Sequence, residues 1–167
     1  MKTKILLTLL IGGFLSASAQ KTVVDVALGS KAHTTLVAAI KAADLVSTLQ
    51  GAGPFTVFAP TNAAFAKLPK GTLDNLLKPE NKATLAKILT YHVVAGNLDA
   101  AAVLKAIKDG KGSVRLKAVS GGILTASLRN GKVILTDEKG GISNVTATNL
   151  KAGNGIVHVI DAVVMPK

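Results

Sequence analysis

Apolar positions recur at spacings of three and four across residues 34–49. Leu36, Ala39, Ile40, Ala43 and Val46 fall on one stripe there, which predicts an amphipathic helix. Thr34 or Thr35 is expected to cap its start, and Gly51-Ala52-Gly53-Pro54 to stop it. Residues 55–59 are apolar and partly β-branched, and read as a short buried strand. Pro60-Thr61-Asn62 turns the chain into another helix, with Thr61 as N-cap and Leu68-Pro69 as its end. Further helices are expected over 72–77 and 81–92. The second of these turns Leu85, Ile88, Leu89 and Tyr91 to the core. A last short helix is expected over 98–107, stopped near Gly110 and Gly112.

Beyond residue 112 the period changes to two. Val114, Leu116 and Ala118 alternate with Arg115 and Lys117. Segments 123–128 and 132–136 flank Asn130-Gly131, the dipeptide that best suits a two-residue hairpin, because both residues tolerate positive φ. Residues 142–150 alternate again. Residues 155–164 are nearly all apolar, as a central strand buried on both faces must be. Helices first and strands afterwards, with one outlying strand at Phe55, predict an α+β fold in one domain covering residues 20–167.

Charge and targeting signals narrow the setting. Lys2 and Lys4 precede an apolar run and Ala17-Ser18-Ala19, the layout of a secretory signal cleaved after residue 19. The formal charge is +11, of which these two lysines supply two, leaving +9 on the exported chain. An excess of this sign favours anionic partners, although the lysines are interspersed among apolar residues and form no block. Specific nucleic-acid binding is not expected, since stacking needs aromatics and the exported chain keeps only Phe55, Phe58, Phe65 and Tyr91. The absence of cysteine removes thiol catalysis, cysteine-held metals and disulfides, and with them a lipid-modified cysteine near the signal.

A search for chemistry finds little. His33, His92 and His158 are far apart and carry no metal-ligand spacing. Asp137-Glu138, followed by Lys139-Gly140-Gly141, reads as a turn. No catalytic residue, metal or cofactor is expected. His158, between Val157 and Val159, is expected to hydrogen-bond a buried neighbour.

Three stretches in order resemble the fasciclin domain family. Gly53-Pro54-Phe55-Thr56-Val57-Phe58-Ala59-Pro60-Thr61-Asn62-Ala63-Ala64-Phe65 is similar to its first signature box. Tyr91-His92-Val93-Val94 is similar to its tyrosine–histidine motif, and Asn154-Gly155-Ile156-Val157-His158-Val159-Ile160-Asp161 to its second box. The resemblance implies a β-sandwich wedge with helices packed along it, and an extracellular adhesion or matrix module without cofactor. The boxes themselves read as framework, with Phe55, Thr56, Phe58, Pro60, Thr61, Asn62, Phe65, Asn154, Gly155, His158 and Asp161 as its signature residues. Tyr91 and His92 have two readings: the family implicates that region in cell adhesion, and equally the pair can pack and hydrogen-bond at a helix end. Members that engage integrins carry Asp-Ile just before the second box. Here the matching positions are Asn149 and Leu150, and a neutral amide cannot give a receptor's metal ion a carboxylate.

The leading expectation is therefore a secreted binding module that contacts an extracellular protein or an acidic polysaccharide, with Tyr91, His92, Asn149 and Leu150 as candidate contacts. Two rival readings are a small-ligand or hydrolytic cleft near His92 or His158, and a self-associating envelope or matrix protein.

Overall fold

The computed structural model describes residues 20–167; the signal-peptide reading of residues 1–19 lies outside them. The chain opens with α1 (Val23–Leu28), a helix the periodicity does not reveal. It starts with a capping box in which Thr22 and Asp25 satisfy each other's backbone N–H groups.

The single helix expected over 34–49 is in fact two, α2 (Thr34–Ala42) and α3 (Val46–Leu49). Asp44 takes φ 58°, and the N–H groups of Leu45 and Asp44 reach back to the carbonyls of Ile40 and Lys41. That is a Schellman end, with an aspartate in the left-handed position usually held by glycine. The apolar stripe runs on across the break because both helices pack on one core, which is why periodicity alone joins them. Neither Thr34 nor Thr35 acts as N-cap. The N–H of Thr35 instead donates to Asn62 Oδ1 at 3.0 Å, from beyond the first strand.

The remaining helices are α4 (Asn62–Ala66), α5 (Thr72–Leu76), α6 (Lys82–Tyr91) and α7 (Ala100–Asp109). Thr61 caps α4 through a 3.2 Å bond from Ala64 N–H, as its sequence predicts. Helix α7 begins two residues later than expected, because Asp99 is the N-cap and accepts from Ala102 N–H at 2.7 Å.

The strands are β1 (Phe55–Pro60), β2 (Val93–Ala95), β3 (Ser113–Lys117), β4 (Ile123–Arg129), β5 (Lys132–Thr136), β6 (Ile142–Ala152) and β7 (Gly155–Ile160). Three-residue β2 is too short for a period and is not foreseen. The strands form one sheet in the order β2-β1-β7-β6-β5-β4-β3, parallel between β1 and β7 and antiparallel elsewhere. Asn130 and Gly131 take φ 51° and 74°, the turn their sequence predicts. All six residues of β7 are buried, so it is a central strand covered on both faces.

The long strand β6 bends at irregularities between Val145 and Ala147 and between Ala147 and Leu150, and so folds the sheet into two halves. One face of the β2-β1-β7 half carries the helices. Val57, Ala59, Val93 and Val157 meet Val23, Val24, Leu36, Ile40, Leu85 and Leu89 there. The other face turns Phe58, Val94 and Ile160 toward Leu116, Leu124, Ala126 and Leu135 of the β3–β5 half, with Val103 and Ile107 of α7 filling the side. The result is the wedge of an α+β fold, with helices mostly in the first half of the chain and strands mostly in the second.

Candidate functional site

The signature residues lie at the junctions between elements, and most of their polar groups are spent on backbone. Asn154 is a hub. Its Oδ1 accepts from Val23 N–H at 2.8 Å, and its Nδ2 donates to the carbonyls of Leu49 and Gly51 at 2.8 and 2.9 Å. It thereby ties α1 and the end of α3 to the start of β7. Asn62 does the same for α2, donating to Lys31 carbonyl and Thr34 Oγ1 besides receiving Thr35 N–H. Thr56, fully buried on β1, donates to Gly96 carbonyl and accepts from Leu98 N–H. Asp161 holds Asn144 through its backbone and side-chain nitrogens, both at 2.8 Å. Burial would raise its pKa, but the two bonds from Asn144 outweigh that and lower it, with Lys67 adding a 3.8 Å ion pair.

His158 stands on β7 with its ring stacked on Phe58, centroids 5.7 Å apart. Its Nε2 donates to Leu98 carbonyl at 2.7 Å, and its Nδ1 accepts from Asn149 N–H at 3.3 Å. Burial lowers its pKa, so the ring is neutral with the proton on Nε2. His92, just after α6, is sealed at 2 % exposure. Its Nδ1 lies 2.8 Å from Ile88 carbonyl and its Nε2 accepts from Val164 N–H, so it joins the helix end to the chain terminus. Desolvation pushes it down to about 4. His33 is the exception. Its Nδ1 meets Ser30 Oγ at 2.7 Å, while its buried Nε2 makes no well-formed hydrogen bond among the described residues. Burial lowers this pKa as well.

Tyr91 is wholly buried. Its hydroxyl donates to Ile123 carbonyl at 2.7 Å and accepts from Glu138 N–H at 3.2 Å, so α6 is pinned to the turn after β5. Desolvation pushes the phenol up to about 12, which keeps it a donor. Removing the oxygen in Tyr91→Phe leaves two half-buried backbone groups unpaired, and is expected to cost about 1–3 kcal/mol in urea unfolding. An unchanged unfolding midpoint would show that this bridge contributes nothing.

Asp137-Glu138 opens the turn its sequence predicts and also reaches well beyond it. Asp137 accepts from the N–H groups of Lys139, Gly141 and Met165, and Glu138 from those of Ile123 and Lys167. The two carboxylates therefore anchor the C-terminal segment. The Asp-x-Lys-x-Gly spacing of a side-chain-supported turn is the local signal for the first two of these bonds; nothing local signals the rest.

Asn149 and Leu150 are placed differently. They project from the irregular stretch of β6, with Asn149 at φ 60° and Leu150 39 % exposed. Asn149 Oδ1 accepts from Ala100 N–H at the start of α7. Of the four candidate contacts, these two are at the surface, while Tyr91 and His92 are inside. Two open clefts flank this region. One of about 560 Å³ is lined by Gly53, Asn97, Asp99, Lys151 and Asn154. The other, of about 630 Å³, is lined by Leu104, Lys132, Asn144, Thr146 and Asp161. The space beside His158 and Phe58 is about 10 Å³. Among the described residues no cluster of three or more His, Asp or Glu side chains is placed to hold a metal ion, and no helix is long and apolar enough to cross a membrane.

Comparison with known proteins agrees with this architecture. The fasciclin domain family profile matches residues 31–166. The Synechocystis protein sll1483 is 49 % identical over 145 residues, which cover 87 % of this chain and 73 % of that protein. The immunogenic protein MPB70 of Mycobacterium bovis is 40 % identical, over 80 % of this chain and 63 % of its own. The transforming growth factor-beta-induced protein ig-h3 of Sus scrofa is 39 % identical over 87 % of this chain, a region that is 19 % of the longer protein. Among solved structures, a domain pair from the insect cell adhesion molecule fasciclin I superposes with a TM-score of 0.75 at 19 % identity, covering 86 % of this chain and 50 % of that one. Profile, relatives and fold agree, and the chain belongs to the fasciclin domain family.

Proposed function

We propose that this fasciclin domain is an exported, non-catalytic module that binds an extracellular protein or an acidic glycan through its exposed surface. The observation that carries the reading is the division of labour among the motif residues. Asn62, Asn154, His92, His158 and Tyr91 spend their polar groups on holding elements of the fold together, and Asn149 gives its Oδ1 to Ala100 N–H, while Leu150 is displayed on a bend between two clefts. Buried groups bonded to backbone set geometry; an apolar side chain held out on a supported bend is available for contact. The insect protein that shares the fold is a cell adhesion molecule, which supports the same reading.

A ligand cleft at the histidines has less to work with. The space at His158, about 10 Å³, admits no more than about one water molecule, and His92 is enclosed. The exposed apolar residues Leu28, Val119, Leu128, Ile142 and Leu150 are spread over α1, the β3–β4 connection, β4 and the two ends of β6, which gives self-association little to build on.

Immobilised chain challenged with surface and medium extracts of the source cells is expected to retain a protein or glycan fraction. Leu150→Glu is expected to reduce retention of a protein partner about tenfold, as loss of a central apolar contact does. Retention of nothing, together with turnover of a small substrate, would overturn the reading in favour of an enzyme.

A further inference from the structure

Among the described residues, no helix packs on the outer face of the β3–β5 half. The β3–β5 half turns Leu116, Leu124, Ala126 and Leu135 inward and packs α7 on that side. Alternation along each strand then places Arg115 and Lys117 of β3, Arg129 of β4 and Lys132 of β5 on the opposite, outer face. All four are exposed. Arg129 and Lys132 are direct cross-strand partners, an arrangement of like charges that weakens a hairpin and stabilises no fold. Among the described residues none of the four forms an ion pair, the three pairs present being Lys67–Asp161, Lys82–Asp44 and Lys105–Asp109. The carboxylates that follow β5, Asp137 and Glu138, are occupied by backbone N–H groups.

The ground between these cations is also specific. Ser113, Thr125, Ser127 and Thr136 share the face, and Ile134 at its centre is only 5 % exposed. Strand geometry spreads the four charges over about 20 Å along the strands and about 10 Å across them.

We propose that this outer sheet face is a binding surface for an acidic polysaccharide, with Arg115, Lys117, Arg129 and Lys132 meeting its carboxylates or sulfates and the hydroxyl residues meeting its sugar hydroxyls. The proposal deepens the glycan branch of the binding-module reading and rests on it. Arginine forks suit planar carboxylate and sulfate oxygens, and a hydroxyl-lined face suits a polyhydroxylated chain. The face carries no aromatic side chain on which a base could stack. A bilayer surface would reward a cluster of insertable apolar side chains; on this face Ile134 is buried and Ile142, opposite Thr136 at its margin, is the one large apolar side chain left exposed.

The test is equilibrium binding of the purified chain to alginate, a polyuronate, with neutral dextran, duplex DNA and anionic phosphatidylserine vesicles alongside. Wild type is expected to bind alginate in a salt-sensitive way and to ignore dextran. The quadruple variant R115T/K117T/R129T/K132T is expected to lose about tenfold or more in affinity, against less than about threefold for K41T/K70T/K78T/K108T, which has the same net charge. Threonine suits exposed strand positions; should the quadruple variant not fold, the pairs R115T/K117T and R129T/K132T are each expected to show part of the loss. Equal weakening by both quadruple variants, no alginate binding, or tighter binding to DNA or vesicles overturns the proposal. Alginate failing while an extract protein is still retained defeats this inference alone; loss of both defeats the binding-module reading as well.

Discussion

Replacing Gly155 by alanine is expected to destabilise the domain by about 3–5 kcal/mol, a large part of the stability of a domain this size. Gly155 opens β7 opposite Phe55 in the parallel pairing. A β-carbon added there would lie far inside contact distance of the Phe55 carbonyl oxygen, 2.8 Å from its carbonyl carbon and 3.0 Å from its nitrogen. All three are backbone atoms, so no rotamer change relieves the clash. Nor can the strands separate locally. Phe55 N–H donates to Asn154 carbonyl at 2.9 Å, and the Asn154 side chain is tied to Val23, Leu49 and Gly51. The overlap must spread into the two central strands. Gly131 is the useful contrast. Its φ is 74° but its β-carbon would meet nothing within 4 Å, so Gly131→Ala is expected to cost only about 1–2 kcal/mol, the left-handed penalty. Urea unfolding of the two variants side by side checks both. Gly155→Ala within about 1 kcal/mol of wild type would mean that the strands accommodate a side chain here.

The second large effect is with pH. His92, His158 and His33 all have pKa values lowered by burial. In the unfolded chain they return to about 6.5 and bind protons that the folded chain refuses. Stability is therefore complete above pH 6.5 and is lost as pH falls from there toward the folded values. His92, held down to about 4, accounts by itself for about 3 kcal/mol of this loss. Protonation cannot be absorbed in place, because Nε2 already accepts from Val164 N–H and a second proton would set donor against donor. Below about pH 4 the carboxylates begin to contribute in the same direction. Asp25 and Glu138 are lowered by backbone bonds, so the stability they confer is lost as they in turn protonate. Urea midpoints are expected to hold level from pH 7.5 to about pH 6.5 and to fall from there to pH 4.5, and the His92 ring protons to show no titration in NMR above pH 5. A midpoint that holds level between pH 7 and pH 5 would contradict the neutral, sealed histidine.

These two sites differ in how far the sequence exposes them. That a buried central strand starts at residue 155 is readable from the apolar run 155–164, although the strand ends at Ile160, and glycine at its start is visible. That this glycine faces a parallel backbone is not readable, since the partner is a hundred residues earlier in the chain. A histidine just past a helix bearing Leu85, Ile88 and Leu89 invites a structural reading. Only the packed chain shows that its second nitrogen serves Val164, 72 residues away.

The same boundary runs through the whole molecule. The Asn130-Gly131 hairpin, the Thr61 cap, the α6 stripe and the alternation of β3 and β4 follow from interactions within a few residues, and the sequence by itself determines them. So do the ordered signature boxes that mark the family. Tertiary structure decides what depends on distant neighbours. Asn62 caps α2 from 27 residues away, and Asn154 holds α1 from 131 residues away. Asp44, with no glycine to announce it, ends α2 where Leu45 can turn into the core. Tyr91 and His92 are drawn inward while Asn149 and Leu150 are left outside, and four cations scattered through the sequence are gathered on one uncovered sheet face. Periodicity reports which side of an element is buried, but a chain must close on itself before any residue acquires a partner, and it is the partner that decides whether a polar group is framework or surface.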